Sequence, residues 1–123
     1  MKLQVAQSEG SNIVTGYGEA YVDVKGIRYE TNIVILRNRL IEDWTAASFA
    51  SLALKDFQIL ADLDVEIVLV GTGTTFQFPN PELLQPFMRA HRGFEVMDNH
   101  AACRTYNVLL SEGRNAAAAL VFH

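Results

Sequence analysis

Apolar positions change their spacing twice along the chain, and each change marks a different kind of element. In the first third, Ile13-Val14, Ala20 to Val24, Ile27 to Tyr29, Asn32 to Leu36 and Leu40-Ile41 are short β-branched or aromatic runs. Gly16, Gly18 and Gly26 bound the first of them, so this third reads as a meander of short antiparallel strands. Lys25-Gly26 suits a hairpin turn. From Phe49 the spacing becomes three and four: Phe49, Leu52, Ala53, Phe57, Leu60. That period predicts a helix within 46–62, with 55–63 its best-defined part. Residues 65–70 are nearly all apolar, as in a strand covered on both faces, and they run into Gly71-Thr72-Gly73.

The remainder alternates. Asn80-Pro81 is a good helix start, since Asn can accept from free N–H groups and Pro fits the first helical position. Leu83, Leu84, Phe87 and Met88 would form that helix's apolar stripe, with Gly93 as terminator. A strand over 94–97 follows, then a helix capped by Asp98 or Asn99, running to about Glu112 and closed by Gly113. Residues 115–122 return as a strand. A meander followed by strand–helix–strand–helix–strand is an α/β arrangement with a mixed sheet and extra strands.

Composition narrows the functional classes. The 123 residues fit one domain, and ten Lys+Arg against fourteen Asp+Glu leave a net charge of −4. An acidic chain whose basic residues are isolated, as at Lys2 or Arg37/Arg39, is a poor nucleic-acid binder. No run approaches the ~20 apolar residues of a membrane-spanning helix, and residues 1–10 resemble neither a secretory signal nor an Arg-rich transit peptide. A cytoplasmic protein without direct membrane insertion is expected. The single cysteine, Cys103, excludes an internal disulfide framework.

Candidate chemistry is sparse. Gly71-Thr72-Gly73 lies where open α/β sheets bind ligands, but position 76 is Phe rather than the third glycine of a dinucleotide loop. A tight turn with an unusual backbone angle is the better reading. His91, His100 and His123 are too scattered for a metal site. Glu42 and Asp43 are neighbours that a strand would point to opposite faces, so they make a poor acid–base pair. Trp44 reads as a core filler more readily than as an exposed anchor. His100 and Cys103 invite a Cys–His nucleophile reading. At about 100° per residue, however, Cys103 falls with Ala102, Tyr106, Leu109 and Leu110 on the core face. His100, Arg104, Asn107 and Ser111 fall on a separate polar stripe. That stripe is either a solvated face or a recognition surface, with Arg104 offering a planar donor fork.

Several segments together resemble a known family. Gly16-Tyr17-Gly18, Trp44, Glu66 to Gly73, Val96-Met97-Asp98, Ala102-Cys103-Arg104-Thr105-Tyr106-Asn107 and Glu112-Gly113-Arg114 stand in the order seen in the Mth938-like family of small domains of unknown function. The resemblance covers about residues 13–122. It implies a single three-layer β/β/α domain over 1–123 and brings no established catalytic residue, metal or cofactor. Eukaryotic members look like assembly proteins for respiratory complex I, and this chain would be a bacterial stand-alone member.

The expected role is therefore a non-enzymatic interaction or assembly module with a protein partner. The alternative is a small-molecule or anion-binding domain, or a cryptic enzyme, using the crevice near Gly71-Thr72-Gly73 and the start of the last helix. The surface carrying either role would comprise Gly71, Thr72, Gly73, Arg104, Asn107 and Ser111. Exposed meander edges could also pair two copies of the chain.

Overall fold

A computed structural model describes residues 10–122. The expectations for the N-terminal segment and for His123 lie outside the described residues. Three short strands come first: β1 (Val14–Gly18), β2 (Tyr21–Val24) and β3 (Ile27–Tyr29) form an antiparallel sheet in that order. Lys25 and Gly26 both take positive φ at the β2–β3 turn, which matches the right-handed strand twist. Gly16 lies inside β1 rather than at its boundary, and Gly18 closes the strand. The Tyr21 ring occupies the space a Gly18 side chain would fill.

The second sheet is mixed. It holds β4 (Ile33–Leu36), β5 (Arg39–Glu42), β6 (Ile67–Gly71), β7 (Gly93–Met97) and β8 (Ala116–Leu120), in the order β5-β4-β8-β6-β7. β6 runs parallel to both β7 and β8, while β4 is antiparallel to β5 and β8. Alternate residues of each strand serve opposite faces. Val34, Val68, Val70, Ala117 and Ala119 face one core, and Ile33, Ile35, Leu69, Ala116, Ala118 and Leu120 face the other. The alanine run of β8 is fully buried, and its small side chains let both outer layers approach closely.

Helices α1 (Leu54–Ala61) and α2 (Gln85–Arg89) cover the first face. The small sheet and α3 (Asn99–Ser111) cover the second. The result is the expected three-layer α/β architecture, with α3 lying in the same layer as the small sheet.

Two helix expectations change in detail. The apolar period from Phe49 does not make one helix: Phe49–Ser51 is a single tight turn, and α1 starts at Leu54. Phe49 and Leu52 still pack on the core, so the period reports burial without a continuous helix. Asn80 does cap, accepting from the Glu82 N–H at 3.0 Å, but the first turn, Pro81–Leu84, is tight and α2 is short. Met88 is 61% exposed, so it leaves the stripe that Leu84 and Phe87 form. Gly93 is not the terminator. His91 takes the left-handed position after α2, and Gly93 opens β7 at a place where a β-carbon would meet the Glu66 carbonyl.

Candidate functional site

The loop that leaves β6 is built by hydrogen bonds to the start of α3. Thr72 is 1% exposed. Its N–H donates to the Met97 carbonyl at 2.9 Å, and its hydroxyl donates to the Thr75 carbonyl at 2.7 Å while accepting the Gln77 N–H at 3.2 Å. Asn99, also buried, does most of the joining. Its side-chain oxygen accepts the Gly73 N–H at 3.1 Å, its own N–H donates to the Gly73 carbonyl at 2.9 Å, and its amide nitrogen donates to the Val121 carbonyl at 2.7 Å.

The two glycines serve different ends. Gly73 has φ +99°, the left-handed region glycine enters without strain. Gly71 has an ordinary φ, but a β-carbon there would meet the Asn99 side-chain oxygen, the Ala119 carbonyl and Leu120. Unusual φ thus explains Gly73, whereas close packing explains Gly71.

Several of the donors an anion would need here are already used. Thr72, Gly73 and Asn99 give their N–H groups as above, and Asp98 caps α3 by accepting the Ala101 N–H at 2.9 Å. What the braced loop does present is aromatic. Phe76 and Phe78 are 59% and 60% exposed, with ring centroids 6.5 Å apart. The sequence reading used Phe76 only as a missing glycine. The available signal was two aromatic residues within a polar, Pro-bounded loop.

The polar stripe of α3 divides into unlike parts. Asn107 faces the edge of β1: its side-chain oxygen accepts the Val14 N–H at 3.0 Å and its amide donates to the Val14 carbonyl at 2.8 Å. A helix side chain thereby completes a sheet edge. Both ends of that amide are taken, so Asn107 acts as a strut between α3 and β1 rather than as an open recognition group. Ser111 is exposed and bonds locally to the Val108 carbonyl at 2.7 Å.

Arg104 is exposed and donates to the Tyr17 hydroxyl at 3.2 Å, a bond that pushes its already high pKa further up. The Tyr17 ring lies 4.5 Å from the His100 ring. Tyr17, legible in the sequence only as part of the family resemblance, thus links the small sheet to two members of the stripe.

Cys103 sits on the core face as expected, 1% exposed. Burial pushes its thiol up to about 12, with a smaller contribution from Asp98 in the same direction and an opposing one from Arg104. A thiol held protonated is a poor nucleophile. Among the described residues, no group of three or more His, Cys, Asp or Glu is placed to hold a metal. No described helix is long and apolar enough to cross a membrane. Trp44 is a core residue, its indole N–H donating to the Leu120 carbonyl at 3.1 Å.

Comparison with known proteins gives a consistent picture. Residues 14–121 match the model of a family described as protein of unknown function (DUF498/DUF598). The mouse NADH dehydrogenase [ubiquinone] 1 alpha subcomplex assembly factor 3 is 30% identical over 98% of this chain, which spans 66% of that protein's length. A crystal structure of a Bordetella parapertussis protein superposes with a TM-score of 0.83 at 34% identity, covering 91% of this chain and 96% of that one. A solution structure from Bordetella pertussis, described as a Mth938-like domain, gives 0.74 at 30% identity, covering 89% and 85%.

Proposed function

The chain belongs to the DUF498/DUF598 family of proteins of unknown function, and from that premise we propose that it is a protein-interaction module acting in assembly, without catalysis of its own. The observation that carries this reading is the exposed Phe76–Phe78 pair on a loop braced through Thr72 and Asn99. Exposed aromatic side chains that a rigid scaffold holds in place are the usual anchors of protein interfaces. A braced loop also loses little conformational freedom on binding, which leaves more of the contact energy for affinity. Gly71, Thr72 and Gly73 then belong to the surface as its framework. Arg104, with Tyr17 beneath it, supplies a planar donor fork near the same end of α3. The similarity to a respiratory complex I assembly factor favours a respiratory-complex subunit as the partner.

The test is a paired measurement on a tagged chain in its own cell. Phe76→Ser/Phe78→Ser should melt within a few degrees of the parent, because surface changes shift stability by only about 0.5 kcal/mol. Subunits of the NADH dehydrogenase recovered with the parent should be lost with the variant. Their equal recovery, or recovery of none with either protein, would refute the proposal.

A further inference from the structure

Between β5 and α1 the chain runs from Asp43 to Ala53 with no strand or α-helix, yet it is firmly held. Asn32 is 4% exposed. Its amide donates to the carbonyls of Thr45 and Ala47 at 3.0 and 2.9 Å, and its oxygen accepts the Phe122 N–H at 2.9 Å. The Trp44 bond to Leu120 pins the same segment. The sequence reading took Asn32 as the start of a strand, whereas its side chain fixes an irregular wall.

That wall and the first turn of α1 enclose a groove of about 450 Å³ whose lining includes Asp43, Trp44, Thr45, Ser51, Lys55 and Asp56. Asp56 is the informative residue, at 4% exposure. One carboxylate oxygen accepts the Ala53 N–H at 2.9 Å and caps α1. The other has no hydrogen-bond partner among the described residues. It is not sealed in either, because His100 Nε2 is the one sealed, unpaired side-chain nitrogen or oxygen among those residues. It therefore opens onto the groove. Neither Asp56 nor Asp43 forms an ion pair with a described residue, Lys55 included.

A carboxylate this deeply placed is stabilised by a partner that brings positive charge and N–H donors together. Two carboxylates, Asp43 and Asp56, stand against one lysine, Lys55, in the lining, which leaves the groove with a net negative charge. We propose that the groove binds a guanidinium group. Its flat fork carries several N–H donors in one plane and can bond the open Asp56 oxygen and the Asp43 carboxylate together. An ammonium group is a compact point charge and more strongly hydrated, so it suits two acceptors in a partly buried groove less well. This site is independent of the Phe76–Phe78 surface. Its ligand is the head group shared by a free guanidino compound and an arginine side chain of a protein.

The experiment is an NMR titration of the whole ¹⁵N-labelled chain with N-ethylguanidinium chloride, against sodium chloride at equal ionic strength. Saturable shifts are expected at the Trp44 indole N–H and the Ala53 N–H. Asp56→Asn and Asp43→Asn should each weaken binding at least about tenfold, through loss of a charge-assisted bond. If Asp56→Asn unfolds the α1 cap, Asp43→Asn decides alone. Asp43 has φ +52°, a conformation asparagine tolerates well. A Gly/Ser peptide with one central arginine separates the two sources. Equal affinity assigns the site to a free guanidino compound, and tighter peptide binding assigns it to a protein arginine. No saturable shift at these groups, or binding unchanged in the asparagine variants, would overturn the proposal.

Discussion

The two faces of the five-stranded sheet are covered in different ways. On the α1–α2 face, aliphatic side chains pack around a few rings: Phe87 stacks on Phe94 with centroids 4.9 Å apart, Phe57 meets Phe87 edge-on at 6.0 Å, and polar ties such as Trp44 to Leu120 are few. On the α3 face, apolar packing is joined by polar ties between α3 and its neighbours. Tyr106 donates its hydroxyl to the Asn12 carbonyl at 2.8 Å, Asn107 pairs with Val14, and Arg37 donates to the Arg114 carbonyl at 2.9 Å at the end of α3. Ring packing is non-directional and resists loss only through volume. Polar ties fix where α3 lies along β1, and so fix the side chains that α3 carries at its surface.

Deleting a ring should therefore produce the largest effect. Phe57 is fully buried, and Phe57→Ala should destabilise by about 3–5 kcal/mol, the range for large aromatic truncations in a core. Chemical denaturation measures it. A loss below about 1 kcal/mol would mean that α1 contributes little to this face and that the contrast is misplaced.

The second prediction uses the two titratable groups buried on the α3 face. An unfolded cysteine ionises near about 8.5 and a tyrosine near about 10. Burial pushes folded Cys103 up to about 12, and it pushes Tyr106 up as well, with Arg37 opposing the latter shift. Below about pH 8.5 both states hold both protons, and stability is at its full value. As pH rises further, the unfolded state releases a proton that the folded state keeps, so stability falls. The slope approaches about 1.4 kcal/mol per pH unit for each such group. By pH 10 the loss from Cys103 should reach about 2 kcal/mol, and Tyr106 should steepen the decline above that. Cys103→Ala should remove the part between pH 8.5 and 10. A flat profile over that interval in the parent would show that the thiol meets solvent.

The contrast also explains which features were legible in the sequence. β6 and β8 lie at the sheet centre, and their unbroken apolar runs announced it. Cys103, Tyr106 and Leu110 repeat at helical spacing, so the core face of α3 could be read directly. The segment between β5 and α1 defeated the same rule. Phe49 and Leu52 imitate a helical period, but the chain leading into them is fixed at Thr45 and Ala47 by the distant Asn32 side chain, which is silent in any local pattern. The candidate site was legible only as residue types. A helical wheel separates polar from apolar positions, yet it does not show which polar positions meet another element, because that depends on where β1 comes to rest.

Asn107 and Arg104 test that last point within a single stripe. Asn107→Ala removes two hydrogen bonds and leaves the N–H and carbonyl of Val14 without their partner. At about 1 kcal/mol net per bond, a loss of about 1–2 kcal/mol is expected, together with faster hydrogen exchange at Val14. Arg104 is different. It reaches across to Tyr17, but the guanidinium is exposed, and an exposed bond exchanges readily with water. Arg104→Ala should leave the melting temperature unchanged within error. If Arg104 belongs to the partner-binding surface, the same variant should recover less of the partner than the parent does. A marked fall in melting temperature would make Arg104 a strut like Asn107. An unchanged melt with unchanged recovery would make it a solvated residue and confine recognition to the Phe76–Phe78 loop. Measuring both variants side by side is what gives the comparison its force, because they sit one helical turn apart on the same face and differ mainly in what lies opposite them.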